Sequence, residues 1–190
     1  EWVWQIGHEL VSLFNGTNRL LGRRFRSQSV DAVYDGQHPI RPQENLQFVG
    51  VLQDANQNAK LPPDYVNQIN SDPSACLIHT AKTEFGIYIV LKHLKLPPNW
   101  VTLYKTLETT EAIARNDGVT LNIDTELRRA FTNSANNFSI VEFESRHGYA
   151  PGGKENKTAR MSISDAAEFV ISVCRQYIQK KCPQVLLPLK

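Results

Sequence analysis

No stretch of this chain is apolar over the roughly 18 residues that a membrane span takes, and its opening residues lack the short basic, then apolar, layout of a signal peptide. Cysteine is scarce. Cys76, Cys174 and Cys182 are too few and too scattered for a disulfide framework, and none belongs to a paired metal-binding motif. His8, His38, His79, His93 and His147 show no ligand spacing with them. Gly16-Gly22 and Gly148-Gly152-Gly153 fit neither a P-loop nor a dinucleotide fingerprint, because the P-loop lysine and its following hydroxyl are missing. Charge of one sign is lacking too: 21 basic against 19 acidic side chains leave +2, so any nucleic-acid surface has to be local. Together these absences give an expectation of a cytoplasmic protein with no membrane, no metal and no cofactor.

What the chain does have is 41% hydrophobic residues over 190 positions, enough for the core of a single domain spanning 1–190. It starts at Glu1 without methionine and is amphipathic from its first turn, which reads as a piece of a longer polypeptide. Asp72 to Lys95 is the stretch around which the rest is arranged. Asp72-Pro73 opens a helix, with Asp as N-cap and Pro where its missing N–H costs nothing. Leu77, Ile78, Ala81, Phe85, Tyr88, Ile89 and Leu91 follow at helical spacing, and Pro97-Pro98 stops the run. Glu84 falls on the same stripe as Leu77 and Leu91. A carboxylate there is expected to be buried and to need a basic or hydroxyl partner.

Ahead of this lies a first helix from Trp2 to about Arg24, with Val3, Ile6, Leu10, Leu13, Thr17 and Leu20 on its apolar side and a tolerated or bending Gly16. Arg19, Arg23, Arg24 and Arg26 crowd its end; they either match the helix C-terminus or form a local phosphate-binding patch. Residues 27–60 lose the helical period and read as an inserted loop with a strand through Leu46 and Phe48 or a small hairpin, and a short helix runs from Leu61 through Ile69. Further helices follow from Asn99 to Asn116, from Asp124 to about Ala135, and from about Lys157 to Lys181. Four or five helices with an inserted loop make an all-α bundle.

Arg146-His147-Gly148 is the candidate site. Histidine moves protons near neutrality and arginine holds a phosphate, and the glycine turn, with Gly152 and Gly153, can offer backbone N–H groups to an anion. The plain alternative is a surface loop.

Asp72-Pro73-Ser74-Ala75, Ala81-Lys82-Thr83-Glu84-Phe85 and Lys92-His93-Leu94, with His147-Gly148, Ala159-Arg160-Met161 and Ala166-Ala167, resemble the C-terminal domain of bacterial abortive-infection proteins, within the wider HEPN group. The resemblance runs over about 72–180. It implies antiviral defence, an RNA or nucleotide ligand, a homodimer meeting at the histidine loop, and a partner defence protein. In active members it implies a metal-independent ribonuclease with an arginine and a histidine four residues apart and a supporting acid on the second helix. His147 matches the histidine and Glu84 the acid, but Glu142 stands where the arginine belongs, and no arginine in the chain has a histidine five residues later. Arg146 is the only substitute at hand. The expectation is therefore a non-catalytic RNA- or nucleotide-recognition or assembly module, the alternative a ribonuclease with a degenerate Arg-His site.

Overall fold

The Asp72-Pro73 start is where the sequence puts it. Asp72 accepts a hydrogen bond from the Ser74 N–H at 2.8 Å and opens a helix over Pro73–Thr80. That helix does not continue to Lys95. Thr80 turns its hydroxyl onto the Cys76 carbonyl and Thr83 its own onto Thr80, so side chains take up backbone acceptors and a turn forms over Lys82 and Thr83. Glu84, with φ −99° and ψ 91°, is the N-cap of a separate helix, Phe85–Leu94. It is half-buried at a helix start, where a carboxylate favours the dipole, instead of sitting inside one long helix.

A computed structural model describes residues 2–24, 26–40, 64, 67, 69, 71–152, 160–185 and 187. Among these the chain is all-α apart from one hairpin. The helices are α1 (Trp2–Leu20), α2 (Pro73–Thr80), α3 (Phe85–Leu94), α4 (Trp100–Asn116), α5 (Thr125–Asn136), α6 (Phe138–Val141) and α7 (Ile163–Lys181), with a 3-10 turn over Glu142–Glu144. Strands β1 (Val33–Asp35) and β2 (His38–Ile40) pair antiparallel, Val33 opposite Ile40. The expected strand near Leu46 and most of the expected helix from Leu61 to Ile69 lie outside the described residues. No described helix is long and apolar enough to cross a membrane.

Contacts divide the chain into two compact units: Glu1–Lys95 with Gln184–Leu186, and Leu96–Pro183 with Leu187–Lys190. In the first, α1 packs on α3 and α2. The crossing is close, because a Cβ on Gly16 would run into the Leu91 carbonyl; only glycine lets the two backbones approach so nearly. The inward side of α1 is accordingly small and polar, with Ser12, Asn15, Gly16 and Thr17 buried, while Val3, Leu10 and Phe14 are exposed, the reverse of the apolar side expected for Val3 and Leu10. The helix stops four residues before Arg24 because Gly22 takes φ 69° and the Arg23 N–H returns to the Asn18 carbonyl at 3.0 Å, a left-handed cap. Asn15 exchanges two hydrogen bonds with the Gln28 backbone and Trp4 Nε1 donates to the Ile40 carbonyl, which fastens the hairpin region to α1.

The second unit has an aromatic core. Phe131 lies 5.6–6.2 Å, centroid to centroid, from Trp100, Tyr104 and Phe169. Three polar ties hold its connections: Gln176 of α7 with the Asn122 backbone, Ser134 of α5 with the Met161 N–H, and Tyr177 with Asp117. Ser162 caps α7 by accepting from the Asp165 N–H, so the helix begins at Ile163, later than the sequence suggests.

Candidate functional site

The loop that follows α6 is built on an unusual backbone. Glu142 has φ 51° and ψ −129°, a region glycine normally occupies. From there the 3-10 turn carries Phe143 outward until it is 93% exposed, with Tyr149 69% exposed. Both rings meet Phe138 edge-on at 5.4 Å, so the aromatic cluster is ordered internally and open to solvent outside.

Arg146 ties this loop down. Its N–H donates to the Ala135 carbonyl at 2.8 Å, its guanidinium lies 4.1 Å from the Tyr104 ring centroid, and one of its nitrogens is 3.6 Å from Glu108 Oε1. The guanidinium is therefore spoken for by a ring and a carboxylate. His147 is exposed, and only its backbone N–H is engaged, by Ser145 Oγ at 3.2 Å. Gly152 is exposed in a turn with φ 77°; Gly153 lies outside the described residues. Arg146 and His147 thus share one loop of the second unit, whereas Glu84 belongs to the first.

The four arginines after α1 do not form one patch. Arg19 is partly buried, and desolvation lowers its pKa. Arg23 reaches Ser74 Oγ at 2.7 Å and so staples α1 to the first turn of α2. Arg24 and Arg26 are exposed.

Two features escaped the sequence reading. One is a cleft of about 570 Å³ along α5, bordered by Arg129, Thr132, Asn133 and Asn136. Its signal was present as a polar stripe at three- and four-residue spacing opposite Phe131 and Ala135. The other is the buried acid. Glu9 of α1 is 0% exposed and accepts from Lys92 Nζ at 2.8 Å, while its second oxygen has no hydrogen-bond partner among the described residues. Lys95, bonded to Ser12 Oγ, has its pKa lowered by burial and by Lys92, with Glu9 opposing.

The remaining chemistry is quiet. The cysteines are free and buried, and burial pushes the Cys174 thiol up to about 12, which makes it unreactive. Among the described residues no three His, Cys, Asp or Glu side chains come together as a metal site would need. Compared with family models, curated proteins and solved structures, the chain matches none.

Proposed function

We propose that this chain is a HEPN-like module that recognises single-stranded RNA without cutting it, working in the cytoplasm in antiviral defence with a second copy or another defence protein beside it. The observation that carries the reading is the exposed pair Phe143 and Tyr149 backed by Phe138, a stacking platform for bases next to His147. The cytoplasmic setting fits three cysteines that are all free. Catalysis is disfavoured on chemical grounds: a general acid–base needs its partner groups within reach, and Arg146 is held by Tyr104 and Glu108 while Glu142 occupies the arginine position of active relatives. Because Glu142 and Glu144 flank Phe143, stacking rather than phosphate contact supplies the affinity, and binding should fall only gently with salt.

The test is anisotropy of a labelled single-stranded RNA. Phe143→Ala and Tyr149→Ala are each expected to weaken binding by about tenfold, in line with the ~1–3 kcal/mol that a stacked base contributes. Thermal midpoints should stay put, since both rings are exposed. Equal binding by wild type and both variants would reject the platform. Cleavage that survives a chelator and disappears in His147→Ala would instead favour the ribonuclease.

A further inference from the structure

We infer that the α5 cleft is a binding site for a small phosphate monoester whose own hydroxyl or amino donors lie well away from its phosphate. The cleft, about 570 Å³, is of the size that small ligands fill, roughly 300–1,000 Å³. Its two ends make different demands. At one end is Arg129, an exposed guanidinium with no ion-pair partner among the described residues. Its neighbour Arg128 is already committed, with two nitrogens on the Glu111 carboxylate at 2.8 and 2.9 Å, so it forms a fixed wall and leaves Arg129 as the anion-holding fork. Glu126 borders a second, smaller cleft that also touches Arg129, which makes that side unsuitable for an anion and turns the phosphate towards the larger one.

At the other end is Asn136. Its Oδ1 is buried away from water and has no hydrogen-bond partner among the described residues, so it is an acceptor waiting for an N–H or O–H. An anionic oxygen cannot supply that; a ligand's alcohol or amine can. Thr132, between them, can bond a ligand from the same side. Arg129 and Asn136 are seven residues apart, about 10 Å along a helix axis. A nucleoside monophosphate has the length to satisfy both ends, whereas ribose 5-phosphate reaches only one. The residues involved differ from those of the RNA platform, so either reading can fail alone.

Titration calorimetry of the full chain with AMP, ribose 5-phosphate and inorganic phosphate tests this. AMP should bind saturably and at least tenfold more tightly than either smaller probe. Arg129→Ala, on an exposed position, and Asn136→Ser should each weaken AMP tenfold or more, while Phe143→Ala leaves it unchanged. No saturable AMP binding, equal affinity for inorganic phosphate or ribose 5-phosphate, or indifference to Arg129→Ala overturns the site. Loss of AMP binding in Phe143→Ala also overturns it, by moving the ligand to the aromatic loop.

Discussion

Glu9 is wholly enclosed where α1 meets α3, while Phe143 stands almost wholly in water beyond α6, so the two units place their most expensive groups in opposite ways. In the first unit a carboxylate, a serine, two asparagines and a threonine of α1 are inside and three large apolar side chains of the same helix are outside. In the second the interior is aromatic, and a separate set of rings is displayed on a strained loop. A buried charge is tolerated only when paired, so the first arrangement commits its polar residues to holding helices together. An exposed ring gains nothing from folding, so the second leaves its rings and Arg129 available for a ligand. Polar residues alone therefore do not mark function here; what marks it is whether the fold has already used them.

The largest effect should come from breaking the first arrangement. Lys92→Met leaves Glu9 buried without its cation, and unfolding in denaturant should show a loss of about 3–5 kcal/mol. Adding Glu9→Leu should restore most of that loss, because an apolar pair of similar volume needs no solvation. If the single variant is as stable as wild type, the pair is not structural and Glu9 becomes a functional candidate. Next in size is Gly16→Ala, whose new methyl meets the Leu91 carbonyl and should cost about 2–3 kcal/mol by forcing α1 from α3. A thermal midpoint unchanged by this substitution would mean that the crossing is looser than described.

How much of this was legible in the sequence depends on which force decided each residue. Caps were readable, since Asp72, Asn99 and Asp124 each bond the N–H groups their positions predict. So was most of the α7 face, with Ala166, Val170, Val173 and Tyr177 buried. The break at Glu84 was not, because periodicity continues across a turn made by two threonine hydroxyls bonding backbone. The stripe argument that selected Glu84 applies equally to Glu9, three after Ile6 and four before Leu13. It failed to single out Glu9 because Lys92, its partner, is 83 residues away. The outward Phe143 was hidden for another reason: nothing in the residue name tells that Glu142 will adopt a glycine conformation.

A smaller effect sharpens the comparison by asking whether the second unit also has a polar group that the fold has used. Tyr177 is fully buried and donates to Asp117 at 2.8 Å; this bond, with help from Asn116 and Lys181, lowers the Asp117 pKa against a desolvation that raises it. A depressed carboxylate stabilises the fold above its unfolded pKa of about 4, and that contribution disappears as pH falls through the folded value. Tyr177→Phe should cost about 1 kcal/mol at neutral pH, the size of one hydrogen bond. It should also flatten the acid limb of the thermal midpoint below about pH 4. An acid limb identical to wild type would assign the stabilisation elsewhere.

The smallest expected change is the one that bears most directly on the displayed loop. Glu142 holds φ 51° and ψ −129°, where a side chain is strained by about 1–3 kcal/mol and glycine is not. Glycine gives back about 0.5–1 kcal/mol through the greater freedom of the unfolded chain, so Glu142→Gly should stabilise the protein by about 1 kcal/mol. If the strain serves only the fold, RNA binding is unaffected by its relief. If it sets the angle at which Phe143 leaves the surface, a freer loop has to be ordered when RNA binds, and affinity should fall about threefold even though the protein is more stable. Removing the Glu142 charge works the other way, by easing the approach of phosphate, so Glu142→Gln serves as the control that changes charge without backbone freedom. A more stable Glu142→Gly with weaker binding than Glu142→Gln would establish the strain as part of the site. A glycine variant that binds as well as the glutamine one would return Glu142 to the class of residues that merely shape the chain.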